Sequence, residues 1–268
     1  MRRIWISPLA VVMLSVALYG GAQPGYAQTL ASPPGRLEAG MAYDAARQRV
    51  VLFGGIDAFQ FPLGDTWTWD GTAWTERHPP ASPSPRYSAH MAYDAAREEV
   101  VLFGGSDTGI PGETWTWNGT TWLDRTTSGS PDIKYGPDLA YDAARREVVL
   151  FGGNTDSDET WIWDGATWTQ RHPAISPAGQ ADPTLAYDII RRRVVLFGGC
   201  CPSADTWTWD GTTWTKRSLS NSPSARFSHS MAYDAARRVT ILFGGTAGLF
   251  EAFGDTWVLG RRTWQQLG

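Results

Sequence analysis

The chain has 268 residues, of which 42% are hydrophobic and 19% charged, enough for one large core or a ring of small ones. Its formal charge of −4 includes Arg2 and Arg3, and without them 21 basic side chains face 27 acidic ones, about −6. Such a surface repels phosphate backbones, and no basic stripe offsets it, so nucleic acid is excluded as a partner.

Residues 1–27 open with Met1-Arg2-Arg3, continue through an apolar run from Leu9 to Leu18, and end Gly25-Tyr26-Ala27. A charged start, a short apolar stretch and small residues before the cut predict a secretory signal cleaved after Ala27. The apolar run is too short for a comfortable membrane span, and an uncleaved N-terminal anchor is the alternative. Export to the periplasm or beyond follows, with no membrane span after cleavage. Residues 28–35 read as an extended linker, because Pro33-Pro34 disfavours a helix.

From residue 36 to 268 one unit recurs five times. Its tyrosines are Tyr43, Tyr93, Tyr141, Tyr187 and Tyr233, each followed by an aspartate. An apolar run then ends in Gly-Gly, at Gly55, Gly105, Gly153, Gly199 and Gly245. An acidic residue opens D-T-W or E-T-W at Asp65, Glu113, Glu159, Asp205 and Asp255, and Trp74, Trp122, Trp168, Trp214 and Trp264 close the copies. Self-similarity at this period marks a propeller or another repeat array. Fourteen of the fifteen tryptophans fall in these columns, which makes packing their expected role.

Each copy predicts four strands. The first runs into Tyr-Asp, and the aspartate suits a turn in which it accepts from backbone N–H groups two residues on. The second, such as Val100 to Phe103, is apolar throughout and predicts burial on both faces. The third is T-W-T-W, followed by Asp70-Gly71, Asn118-Gly119, Asp164-Gly165 or Asp210-Gly211, which are hairpin signals. The fourth carries the last tryptophan.

The Gly-Gly doublet closing an apolar strand, with a tryptophan downstream, resembles the kelch repeat. The tyrosine usual before the last tryptophan is replaced by Trp69, Trp117, Trp163 and Trp209, and by Leu259 in the fifth copy. The resemblance implies an all-β, five-bladed kelch-like β-propeller over residues 36–268, with four antiparallel strands per blade. Because every copy has all four strands, a ring closed within one chain, and a monomer, are expected. Kelch propellers serve as enzymes, lectin-like modules and protein-binding platforms, so the fold does not select a function.

The chemistry-bearing residues are sparse. His78, His90, His172 and His229 are the only histidines, and the copper set of galactose-oxidase-type kelch enzymes cannot be placed on this chain. No Ser-His-Asp set, phosphate-cradling loop or zinc spacing stands out, so no catalytic residue, metal or cofactor is assigned. Asn154, Asp156, Asp158 and Glu159 resemble a calcium loop but lack its glycine and distant glutamate, and they read as a solvated turn. The acidic column and a basic column of Arg36, Arg86, Lys134 and Arg226, broken by Gln180, are expected on one face. They read either as framework pairs or as a ring of charge that holds a polar ligand through Arg86 and Arg226.

All length variation lies between Gly-Gly and the acidic residue, where the loops have nine, seven, five, five and nine residues. Variation confined to one connection points to one working face. The long loops carry Phe59, Phe61 and Leu63 in copy one and Leu249, Phe250 and Phe253 in copy five. They predict either an exposed recognition patch or an apolar seal where the ring closes. The function expected is an exported, noncatalytic module binding a protein or glycan on this face; the alternative is a carbohydrate-active enzyme at the channel mouth.

Cys200 and Cys201, the only cysteines, are adjacent in the fourth loop. Adjacent α-carbons lie about 3.8 Å apart, below the usual disulfide range, so a vicinal bridge is strained; free thiols, an intermolecular disulfide and a soft-metal site are the alternatives. A vicinal bridge predicts an intact mass about 2 Da below the reduced form and no alkylation of the native exported protein, whereas two alkylated cysteines would end the idea.

Overall fold

The computed structural model describes residues 32–106, 112–133, 136–153, 157–199, 203–248 and 251–268. Residues 1–27, read above as a signal, and Lys134, Asn154, Asp156, Cys200, Cys201, Leu249 and Phe250 lie outside the described residues. The fold is an all-β, five-bladed, kelch-like propeller, and each blade is one antiparallel four-stranded sheet.

Blade 1 is formed by β1 (Gly40–Asp44), β2 (Arg49–Phe53), β3 (Thr66–Trp69) and β4 (Trp74–Arg77), paired in that order. Blade 2 follows as β5 (His90–Asp94), β6 (Glu99–Phe103), β7 (Thr114–Trp117) and β8 (Trp122–Asp124). Blade 3 has β9 (Pro137–Asp142), β10 (Glu147–Gly152), β11 (Thr160–Trp163) and β12 (Trp168–Arg171). Blade 4 has β13 (Thr184–Asp188), β14 (Arg193–Phe197), β15 (Thr206–Trp209) and β16 (Trp214–Lys216). Blade 5 has β17 (Ser230–Asp234) and β18 (Val239–Phe243). A small ribbon, β19 (Thr246–Gly248) with β20 (Glu251–Ala252), interrupts it before β21 (Thr256–Leu259) and β22 (Trp264–Leu267).

Local chemistry explains the turns. Asp94 Oδ1 accepts from the N–H of Ala96 at 2.9 Å, and Asp70 Oδ1 accepts from Thr72 and Ala73 at 2.9 Å, so both hairpins are closed by carboxylates. The Gly-Gly doublet is needed where blades meet. Gly54 has φ +65°, and a Cβ there would stand 2.4 Å from the Arg86 carbonyl of the next blade.

The blades adhere through side chains. The first strands pack in sequence, β1 on β5, β5 on β9, β9 on β13 and β13 on β17, and so surround the axis. The second strands lie between neighbouring sheets, with Val100, Val101, Leu102 and Phe103 all buried, as their unbroken apolarity requires. At every one of these four junctions the closing tryptophan donates to the first threonine of the preceding blade's third strand. The bonds are Trp122 to Thr66 (2.9 Å), Trp168 to Thr114 (2.8 Å), Trp214 to Thr160 (2.9 Å) and Trp264 to Thr206 (2.9 Å). The same indoles take the edge of Phe53, Phe103, Phe151 and Phe197, with centroids 5.1–5.5 Å apart.

Between blades 5 and 1 none of these contacts recurs among the described residues. Phe243, the fifth member of the phenylalanine column, is 55% exposed, and Tyr43 is likewise 55% exposed. Tyr93 and Tyr187, by contrast, accept from the N–H of Ala46 and Ala144 across their junctions. Arg237 is 79% exposed and Gly71 has nothing near it, whereas Arg47 lies against Gly119 and Arg97 against Gly165. The expectation of a ring closed within the chain is therefore corrected. Four junctions built alike leave the last face of blade 5 and the first face of blade 1 apart.

This asymmetry sets a stability test. Thr66→Val strands the buried Trp122 indole donor and is expected to cost about 1–3 kcal/mol in denaturant unfolding. Thr256→Val, at the matching position of blade 5, has no tryptophan to strand and is expected to stay within about 0.5 kcal/mol of the parent. Equal losses would show that a fifth junction forms in solution.

Candidate functional site

The β2–β3 loops and the starts of the first strands share one end of the molecule, because Gly40 pairs with Phe53, His90 with Phe103 and Asp138 with Phe151. The variable loops therefore share this end of the arc, its mouth, with the starts of the first strands.

In blade 1 the nine-residue loop is ordered by Asp57. Its Oδ1 accepts from the N–H groups of Phe59 (2.8 Å) and Phe61 (2.9 Å), while its own N–H donates to the Phe61 carbonyl at 3.0 Å. Gln60 takes φ +67° at the apex. The turn presents the two rings to solvent, Phe59 80% and Phe61 66% exposed. Leu63 is half-buried, and its backbone joins Gly55 and Arg86. Phe253 of blade 5 points elsewhere, with its ring stacked on the Arg226 guanidinium 4.2 Å from the centroid. Among the described residues the apolar group is therefore centred on Phe59 and Phe61.

The charged columns meet within blades. Arg36 grips Asp65 with two bonds of 2.6 and 2.7 Å, Arg226 grips Asp255 at 2.5 and 2.9 Å, and Arg86 pairs with Glu113. Arg86 and Arg226 are wholly buried, and their remaining donors go to Ser84 and Gly104, and to Ser224 and Gly244. Each guanidinium thus ties its loop to its own sheet. The Trp257 indole also donates to Asp255, and together with Arg226 this holds the Asp255 pKa at about 2, the Arg226 bond being the largest cause. Blade 4 breaks the pattern: Gln180 is buried with Oε1 unpartnered, and Asp205 turns to Lys216 at 2.7 Å.

At the mouth, unrepeated polar residues converge. Glu38, Ser88, Gly136, Asp182 and Ser228 all have left-handed backbone, φ +53° to +56°, where the chain enters each first strand. His90 Nδ1 lies 3.2 Å from Asp138 Oδ1, while Asp138 Oδ2 accepts from Leu185 N–H at 2.6 Å. Asp182 sits over Gly136, crowded by protein although its edge reaches solvent; burial raises its pKa, His90 opposes the rise, and Glu38 and Asp138 add to it. His229 is buried edge-on to Phe197, and burial foremost, then the Arg226 charge, lowers its pKa to about 4. It is neutral at pH 7. His78 and His172 are exposed beyond the fourth strands. Sequence reasoning passed over Asp138, Asp182 and Glu38; their signal was that these columns are not repeated.

The calcium-like loop is described only from Ser157 onward, where Glu159 accepts from the Trp161 indole at 2.9 Å. No group of three or more metal-binding side chains occurs among the described residues, and no described helix is long and apolar enough to cross a membrane.

No protein-family model and no curated protein sequence matches the chain. Among solved structures it is similar to YjhT, a kelch-type propeller, with a TM-score of 0.65 and 14% sequence identity over 89% of this chain and 86% of that one. At that identity the likeness concerns the fold alone.

The Arg226–Asp255 pair predicts an acid response. The Asp255 pKa is depressed in the folded state, so its contribution is complete above the ordinary carboxylate value near 3.8 and is lost as pH falls towards 2. Asp255→Asn leaves Arg226 buried without its counter-charge and should cost about 3 kcal/mol near neutral pH. Its unfolding midpoint should then fall less steeply than the parent's between about pH 4 and pH 2. A parallel pH dependence would refute this assignment.

Proposed function

We propose that the chain is an exported, noncatalytic binding module that recognises a protein or glycan on the face carrying the β2–β3 loops. The observation carrying this reading is the pair of solvent-exposed phenylalanines, Phe59 and Phe61, on a turn already held by Asp57. Exposed aromatic rings on a preformed loop gain apolar burial on binding without the cost of ordering the backbone, as interaction hot spots do. Export rests on the charged and apolar character of residues 1–27. The channel mouth next to the loop supplies polar groups for the rim of such an interface.

A second reading has its own observation, the His90–Asp138 contact with Asp182 and Glu38 in electrostatic range. It makes the mouth the site of a carbohydrate-active enzyme, in which His90 serves as a general base oriented by Asp138.

A glycan array and a pull-down with mature protein supply the ligand, after which two variants separate the readings. Phe59→Ser with Phe61→Ser should weaken binding at least tenfold while the melting temperature stays nearly unchanged, since both rings are exposed. A fall of several degrees, or undiminished affinity, would remove the loop as anchor. Turnover of a carbohydrate that is lost in His90→Gln, with its binding retained, would favour the enzyme.

A further inference from the structure

On the side of blade 4 that faces blade 5, a cavity of about 280 Å³ opens beneath the β21–β22 hairpin. Its wall carries Arg193 at the start of β14 and Arg217 just past β16, with Arg261 and Gly260 reaching over from the hairpin. Leu219 and Leu259 form an apolar side. Asp188 and Arg191 also line it and neutralise each other as an ion pair, which leaves the other three arginines as its net charge. Arg193, Arg217 and Arg261 have no carboxylate partner among the described residues. Asp210, on the neighbouring hairpin, feels the charge of Arg193 without pairing with it.

The same columns in other blades show what is unusual here. In blade 2 the position of Arg193 is Glu99, which pairs with Arg125 at 3.8 Å, and Arg125 Nε donates to Thr116 at 3.2 Å. In blade 3 it is Glu147, within electrostatic range of Arg171. Blade 1 has Arg49, but there Arg77 Nε donates to Thr68 at 2.8 Å. Blades 3 and 5 have Ile162 and Val258 in the threonine's place, and of the three threonines only Thr208 goes unserved. Thr208 is 6% exposed, lines the cavity, and its Oγ1 has no hydrogen-bond partner. A buried hydroxyl left unsatisfied beside uncompensated guanidiniums is a costly arrangement unless something polar joins it.

We propose that this crevice binds a tetrahedral oxyanion, the phosphate or sulfate group of a small ligand. Arg193, Arg217 and Arg261 supply charge-assisted donors, and the Thr208 hydroxyl donates to the same group. Leu219 and Leu259 offer a surface for the organic part of an ester, and the cavity is close to the lower size of small-molecule sites, about 300 Å³. The site is separate from the aromatic loop of blade 1 and does not depend on its role.

Calorimetric titration of mature protein with inorganic phosphate, inorganic sulfate, glucose 6-phosphate and glucose 6-sulfate, against chloride at matched ionic strength, tests this. Saturable binding is expected, with the esters tighter than the free anions if the apolar wall contributes and equal to them if the ligand is a free anion. Arg193→Glu installs the arrangement of blade 2 and should weaken binding at least tenfold; Thr208→Val, which removes a hydroxyl without a partner, should weaken it several-fold and leave the melting temperature unchanged. The serine variants at Phe59 and Phe61 should titrate like the parent. Should Arg193→Glu fail to fold, Arg217→Gln takes its place beside Thr208→Val. Heats no different from chloride, or binding that the arginine variant leaves intact, would overturn the proposal.

Discussion

The buried bond from a closing tryptophan to the threonine of the preceding blade is the contact on which the architecture depends. Main-chain bonds tie neighbouring blades at their loop ends, as from Gly55 N–H to the Arg86 carbonyl at 2.8 Å and from Ser88 N–H to the Glu38 carbonyl at 2.9 Å, but the strands satisfy their backbone within each sheet and leave the broad faces to side chains. An indole N–H can only donate, and leaving it buried without an acceptor, as at Trp163 and Trp209, is costly, so the closing tryptophans gain by having one. Thr66, Thr114, Thr160 and Thr206 provide it, while Phe53, Phe103, Phe151 and Phe197 fill the space beside the ring. The same side-chain pair thus recurs at each of the four junctions and holds the sheet faces together.

That economy divides the residues into two groups. Those repeated in most or all copies are consumed by turns, junctions and loop tethers, and buried Arg86 and Arg226 belong with them. The positions where the copies disagree carry the residues proposed for recognition, Phe59 and Phe61 in one loop, His90 and Asp138 on two inner strands, and Arg193 where blades 2 and 3 have glutamate. The left-handed residues at the mouth show how this is permitted. Glu38, Ser88, Gly136, Asp182 and Ser228 share a backbone shape while their side chains differ, so the mouth varies without disturbing the frame.

Most of the frame was legible because it rests on local rules. Unbroken apolar strands, Asp-Gly turns and the tryptophan columns each have a short-range cause. Closure did not have one: it depends on a small rotation summed over four junctions, and no single residue encodes the sum. Arg86 and Arg226 could be placed on the correct face from spacing, but whether they met solvent or a carboxylate was a matter of depth. The His90–Asp138 contact joins residues 48 apart, which curvature alone brings together. The arginine-lined crevice was closer to hand, since aligning Arg49, Glu99, Glu147 and Arg193 exposes the charge reversal, though only the structure reveals the orphaned hydroxyl of Thr208.

The unjoined faces of blades 1 and 5 give the molecule two ends. In an array whose stability comes from nearest-neighbour interfaces, a terminal blade leans on one neighbour and an internal blade on two. Local opening is therefore expected to begin at the ends, with amide hydrogens in β1 to β4 exchanging with solvent sooner than those in β9 to β12. The exposed phenylalanines belong to such an end. A ligand that grips them steadies the least protected sheet of the protein, and its occupancy is written into the exchange rates of strands it never touches.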